Sequence, residues 1–173
     1  MSSGVTDPSV GAEPHTAPRV LVVGFGNPIR GDDALGPLVA ERLAEELSTG
    51  RWPAADVEVL VRHSLTPELA SDLAGVARVV FLDAAVDGPV GTVVCRSVAP
   101  QAAGSVPDPH CSDVAALLAL TRQLSGRVPD AYLVSVRGVC FDFADRRLSP
   151  SVAAAIDRVA ETVRQLCGPE AHS

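Results

Sequence analysis

The sequence predicts a three-layer α/β sandwich, with a mostly parallel sheet of five strands and helices on both faces. Three observations lead there. Short apolar runs alternate along the chain with segments of helical periodicity, the pattern of strand–helix–strand units. Two of the runs, RVLVVGFG at residues 19–26 and RVVFLD at residues 78–83, are continuously apolar, as strands buried on both faces are. Hydrophobic residues make up 47% of the 173 and aromatics only 3%, so the core must come from Val, Leu and Ala.

The elements follow in order. Strand one (residues 19–26) ends in glycines and leads through a loop to a helix over residues 35–47, where Leu35, Leu38, Val39, Leu43 and Leu47 recur at helical spacing. VEVLV (57–61) is strand two. TPELASDLA (66–74) is a helix with Thr66 as cap and Pro67 at its first position. RVVFLD is strand three. GTVVCR (91–96) is strand four, expected antiparallel to strand three because the link between them is too short for a helical crossover. Residues 111–124 form a helix with an Ala/Leu face, residues 131–139 strand five, and residues 150–167 one closing helix capped by Ser149. Residues 1–18, rich in Ser, Gly, Pro and Ala, are expected to be a disordered tail, residues 19–168 a single domain, and residues 169–173 a second tail.

Bulk properties exclude several function classes. A net charge of -7 does not suit nucleic-acid binding, which needs a basic face. The four cysteines contain no C-x-x-C pair and read as free thiols in a cytoplasmic protein, with Cys111 the one beside a residue of interest. No apolar run is long enough to span a membrane, and the first residues lack the pattern of a signal peptide.

In an open α/β sheet, ligands bind beyond the carboxyl ends of the parallel strands. Three places put chemistry there. In GFGNPIRGDDALG, Gly24 and Gly26 permit a tight turn and close backbone approach, and Asp32 and Asp33 open the following helix. One acid would cap that helix, leaving the other for the cleft. Asp83 ends strand three, either facing the cleft or bonding nearby amides. His110, in DPHCSD, follows the long loop APQAAGSVPDP; a lone histidine at a helix start is otherwise structural or merely exposed. Two carboxylates and an imidazole would suit an exchangeable divalent transition metal such as nickel, zinc or iron.

At these three places the sequence resembles the hydrogenase maturation endopeptidase family. The stretch VLVVGFGNPIRGDDALGPLVAERL is similar to the family's first signature, VVFLDA to the strand delivering its second acid, and DPHCSD to the segment delivering its histidine. The resemblance implies a twisted five-stranded sheet and an aspartic-type endopeptidase that acts as a monomer. It implies that Asp33 and Asp83 are catalytic and that Asp33, Asp83 and His110 grip a nickel ion supplied by the substrate. That substrate would be a [NiFe]-hydrogenase large-subunit precursor, whose C-terminal extension is cut off after nickel insertion. Zinc or cadmium could occupy the same site. His63, in VRHSLTPEL, departs from the commonest members; with Asn27 and Asp32 it is a candidate substrate-binding residue, or else a surface histidine.

Two other functions remain open on sequence. A non-catalytic nickel chaperone could use the same three ligands. An NADP-binding oxidoreductase would use Gly24 and Gly26, with Arg62 on the 2′-phosphate, but Ile29 stands where a third glycine is needed. No G-x-S-x-G or H-E-x-x-H motif supports serine or zincin chemistry.

Overall fold

The computed structural model describes residues 20–104, 111–143 and 147–168. Both expected tails and His110 lie outside these residues. The five strands are β1 (Val20–Phe25), β2 (Val57–Arg62), β3 (Arg78–Ala85), β4 (Val93–Ser97) and β5 (Asp130–Arg137). The helices are α1 (Leu35–Ser48), α2 (Leu69–Leu73), α3 (Ser112–Ser125), α4 (Pro150–Ala153) and α5 (Ile156–Cys167), with a 3₁₀ turn at Gly31–Ala34.

The sheet runs β2-β1-β3-β5-β4, with every neighbour parallel except β4. The apolar runs that predicted two-sided burial, β1 and β3, are interior strands. β4 has the expected direction, but its partner is β5 rather than β3, and it forms an edge.

Strand alternation divides the core in two. Val22, Val80, Leu82, Val134 and Val136 face α1, α4 and α5. Leu21, Val23, Val79, Phe81 and Leu133 face α2 and α3. The core is aliphatic, as the composition requires; Phe81 is its one large aromatic, edge-to-face with Phe25 at 6.4 Å. Glu46, buried on α1, joins α1 to α5 by accepting from Arg42 at 3.1 Å and Arg164 at 2.6 Å.

Close packing of α1 on the sheet depends on two glycines. A Cβ on Gly24 would strike the carbonyl of Gly36, and one on Gly36 would strike the carbonyls of Phe25 and Leu82. The helix therefore lies directly on the β1–β3 seam.

Three helix expectations need correction. The second helix begins at Leu69, not Thr66, because Leu69, Ala70 and Ser71 donate to residues three earlier and so close a tighter turn first. The closing helix is broken into α4 and α5 at residues 154–155, where Ala155 N–H likewise reaches back to Val152. Ser149 stands at the N-cap of α4 but makes no side-chain cap bond; its hydroxyl lies 3.3 Å from Ser151 Oγ instead.

Candidate active site

Chain order determines where the site falls. From β1 the chain moves outward to β2 and then returns to the other side of β1 as β3, so the crevice at the carboxyl ends of β1 and β3 is a topological switch point. Asp33 lies in the 3₁₀ turn that follows β1, and Asp83 lies near the end of β3. Strands β1 and β3 are direct neighbours, with Gly24 paired to Leu82.

Gly26 opens the loop at φ 138°, and a Cβ there would collide with the backbone of Asp33. The loop folds back on itself: Asn27 N–H donates to Asp33 Oδ2 at 3.0 Å, Asn27 Oδ1 accepts from Ile29 N–H at 3.1 Å, and the Arg30 guanidinium is 3.8 Å from Asp33. Asp33 keeps a side-chain exposure of 21%, so its carboxylate is held in place yet reachable.

Asp32 and Asp33 have separated roles, but neither caps the helix. Asp32 has no exposed surface. Its Oδ2 accepts from Val139 N–H at 2.7 Å and Cys140 N–H at 3.0 Å, and its Oδ1 from Ser149 N–H at 2.6 Å. Burial opposes its ionisation, but these backbone donors outweigh that and hold its pKa below the ordinary carboxylate value. The carboxylate pins the segment after β5 to the loop after β1, and Gly138 leaves the room for it. A substrate-facing role for Asp32, and an exchange of roles with Asp33, do not fit a wholly buried, fully bonded carboxylate. Sequence reasoning missed Val139, Cys140 and Ser149 as its partners, because backbone donors carry no sequence signature.

Asp83 is partly buried, and its Oδ1 accepts from the N–H of Ala84 at 2.8 Å. Burial pushes its pKa up to about 7; the negative charges of Asp33 and Asp113 add to the rise, which the Ala84 bond only partly opposes. Asp33 and Asp83 are therefore close enough for their charges to interact. Asp113, in the first turn of α3, is an acid that sequence reasoning did not single out, although it lies within the DPHCSD segment.

The remaining candidates are less central. His63 is exposed just past β2, at the same end of the sheet. Asn27 shapes the loop as described, and Cys111 packs against the α2–α3 side of the core. Among the described residues, no three His, Cys, Asp or Glu side chains are grouped to hold a metal ion, and no helix is long and apolar enough to cross a membrane.

No family model matches the chain, and no curated protein matches it. Solved structures do. A [NiFe] hydrogenase maturation protease, HycI, from Thermococcus kodakarensis KOD1 aligns at TM-score 0.67 and 25% identity, over 87% of this chain and 92% of its own. The hydrogenase maturating endopeptidase HybD from E. coli aligns at 0.65 and 25%, over 84% and 89%. A hydrogenase 2 maturation peptidase from Thaumarchaeota archaeon SCGC_AB-539-E09 shares the fold, at 0.64 and 24%, over 88% and 99%. These likenesses favour a protease over the chaperone and the oxidoreductase. In fold, the chain is similar over most of its length to solved [NiFe] hydrogenase maturation proteases.

Proposed function

We propose that this protein is a cytoplasmic, monomeric endopeptidase that removes the C-terminal extension of a [NiFe]-hydrogenase large-subunit precursor after nickel has been inserted. What supports this reading is that Asp33, in the turn after β1, and Asp83, near the end of β3, both stand at the switch point, close enough for the charge of Asp33 to add to the rise in the Asp83 pKa. Two interacting carboxylates in a partly dry crevice repel each other, and a cation between them relieves that repulsion.

In this reading the nickel arrives with the substrate, and Asp33, Asp83 and His110 take positions around it. Zinc or cadmium would compete for the same three groups. The reaction adds water across one peptide bond: the water oxygen attacks the carbonyl carbon, a carboxylate takes its proton, and the leaving amine gains one. Asp83 is suited to that exchange because its pKa lies near neutrality. Asp33, held by Asn27 N–H, is the partner that orients the cation.

The test is incubation of a nickel-loaded precursor with the protein, followed by intact-mass measurement. A single loss equal to the extension is expected. A precursor of unchanged mass that nevertheless binds the protein would leave a chaperone instead.

A further inference from the structure

Beside Asp83 a groove of about 570 Å³ opens on the α2–α3 side of the sheet. Its size is that of a ligand site, and Asp83, whose charge interacts with that of Asp33, is one of its lining residues. The strand register sets out its floor. Asp83, Ser135 and Val94 form one row across β3, β5 and β4. Arg137 stands two residues further along β5, and Arg96 two residues further along β4, so the guanidinium-bearing positions flank that row on opposite sides.

The charge is divided across the width of the groove. The carboxylates of Asp83 and Asp87 come from β3 and the loop that leaves it, whereas both arginines come from β5 and β4. In a chain of net charge -7, a pair of arginines next to a cation-seeking carboxylate pair is not an average surface. Arg137 is also held in place: its Nε donates to Val86 O at 3.2 Å, and among the described residues its terminal nitrogens have no hydrogen-bond partner. A fixed guanidinium with open terminal N–H groups suits a carboxylate.

We infer that this groove binds the precursor segment next to the scissile bond, and that Arg137 takes a carboxylate of that segment. The charge fixes which way the peptide runs: the metal-bearing part lies against Asp83 and the acidic part against Arg137. This rests on the proposed proteolytic function, deepening it from a reaction to a substrate orientation. The carboxylate can be an Asp or Glu side chain of the extension or its terminal α-carboxylate.

The experiment is fluorescence anisotropy of labelled synthetic peptides spanning the cleavage site and extension of a large-subunit precursor, titrated with the full chain. Arg137→Gln should weaken binding about tenfold, and Arg137→Lys should recover part of it. The same loss should follow, on the unmodified protein, from one peptide change: amidating the terminus if the α-carboxylate is the group bound, or replacing Asp and Glu by Asn and Gln if side chains are. That change should cost nothing further in Arg137→Gln. Equal affinity of all peptides for all three proteins, or no binding to the wild type, overturns the inference. A peptide bound through Arg137 with no precursor cleavage would instead overturn the proteolytic reading and leave the groove standing.

Discussion

Asp32 and Cys140 are tied in both directions across 108 residues: the Asp32 N–H donates to Cys140 O at 2.8 Å, and the Cys140 N–H donates to Asp32 Oδ2 at 3.0 Å. A third link, from the Ser149 N–H, brings in the start of α4. The loop bearing Asp33 is thus fastened to the far end of the chain through its neighbour, and Arg30 adds a second fastening by donating to Phe141 O at 3.2 Å.

Replacing Asp32 by Asn would present an amide NH₂ to donors that need an acceptor. Asp32→Asn should cost about 3 kcal/mol in urea unfolding. The pH dependence has a definite sign. The folded pKa lies below the ordinary 3.8, so the carboxylate's contribution is present above that value and is lost as pH falls through the lower folded pKa. The wild type should lose this stability only on the acid side of 3.8, and the variant should lack that acid limb.

Asp83 behaves oppositely. With its folded pKa near 7 against an ordinary 3.8, the folded state holds a proton that the unfolded chain has released. Stability therefore falls as pH rises between those values. Asp83→Asn should remove that slope and stabilise the protein at pH 8 by on the order of 2 kcal/mol, less than the full shift implies because the group is only partly buried. Thermal melts of both proteins from pH 4 to pH 8 check this. Parallel curves would mean that Asp83 ionises freely.

Asp33→Asn should keep the fold, since Asn can still accept from Asn27 N–H, while losing the negative charge. Precursor cleavage should drop by roughly a hundredfold or more, with a stability change under about 1 kcal/mol. A folded variant that cleaves normally would remove Asp33 from the mechanism.

Gly36→Ala tests the seating of α1. The added methyl meets two backbone carbonyls that no rotamer change can move. Destabilisation of about 2–3 kcal/mol is expected in urea, with a fall in cleavage because Asp33 is carried on the turn entering that helix. An unaffected variant would show that the helix lifts from the sheet at little cost.

Much of this architecture was legible in the sequence because it rests on local patterns. Unbroken apolar runs identified β1 and β3 as interior strands, and a short link gave β4 its direction. The glycines before Asp33 marked the turn that carries it. What could not be read arises from contacts distant in sequence. Nothing in GDD says that its first acid binds amides more than a hundred residues away, so helix capping was the natural expectation. The pairing of β4 with β5 depends on which edge remains open once β3 has joined β1. The break between α4 and α5 lies in an alanine-rich stretch of good helix formers, where periodicity alone gives no stop signal.

The central claim is that Asp33 and Asp83 share one cation with His110. The direct measurement is a crystal structure of the protein soaked in zinc or cadmium, with the ion located by anomalous scattering. The account predicts one ion at the carboxyl ends of β1 and β3, bound by both carboxylates and the His110 imidazole. An ion bound elsewhere, or Asp33 and Asp83 turned away from a shared one, would contradict it.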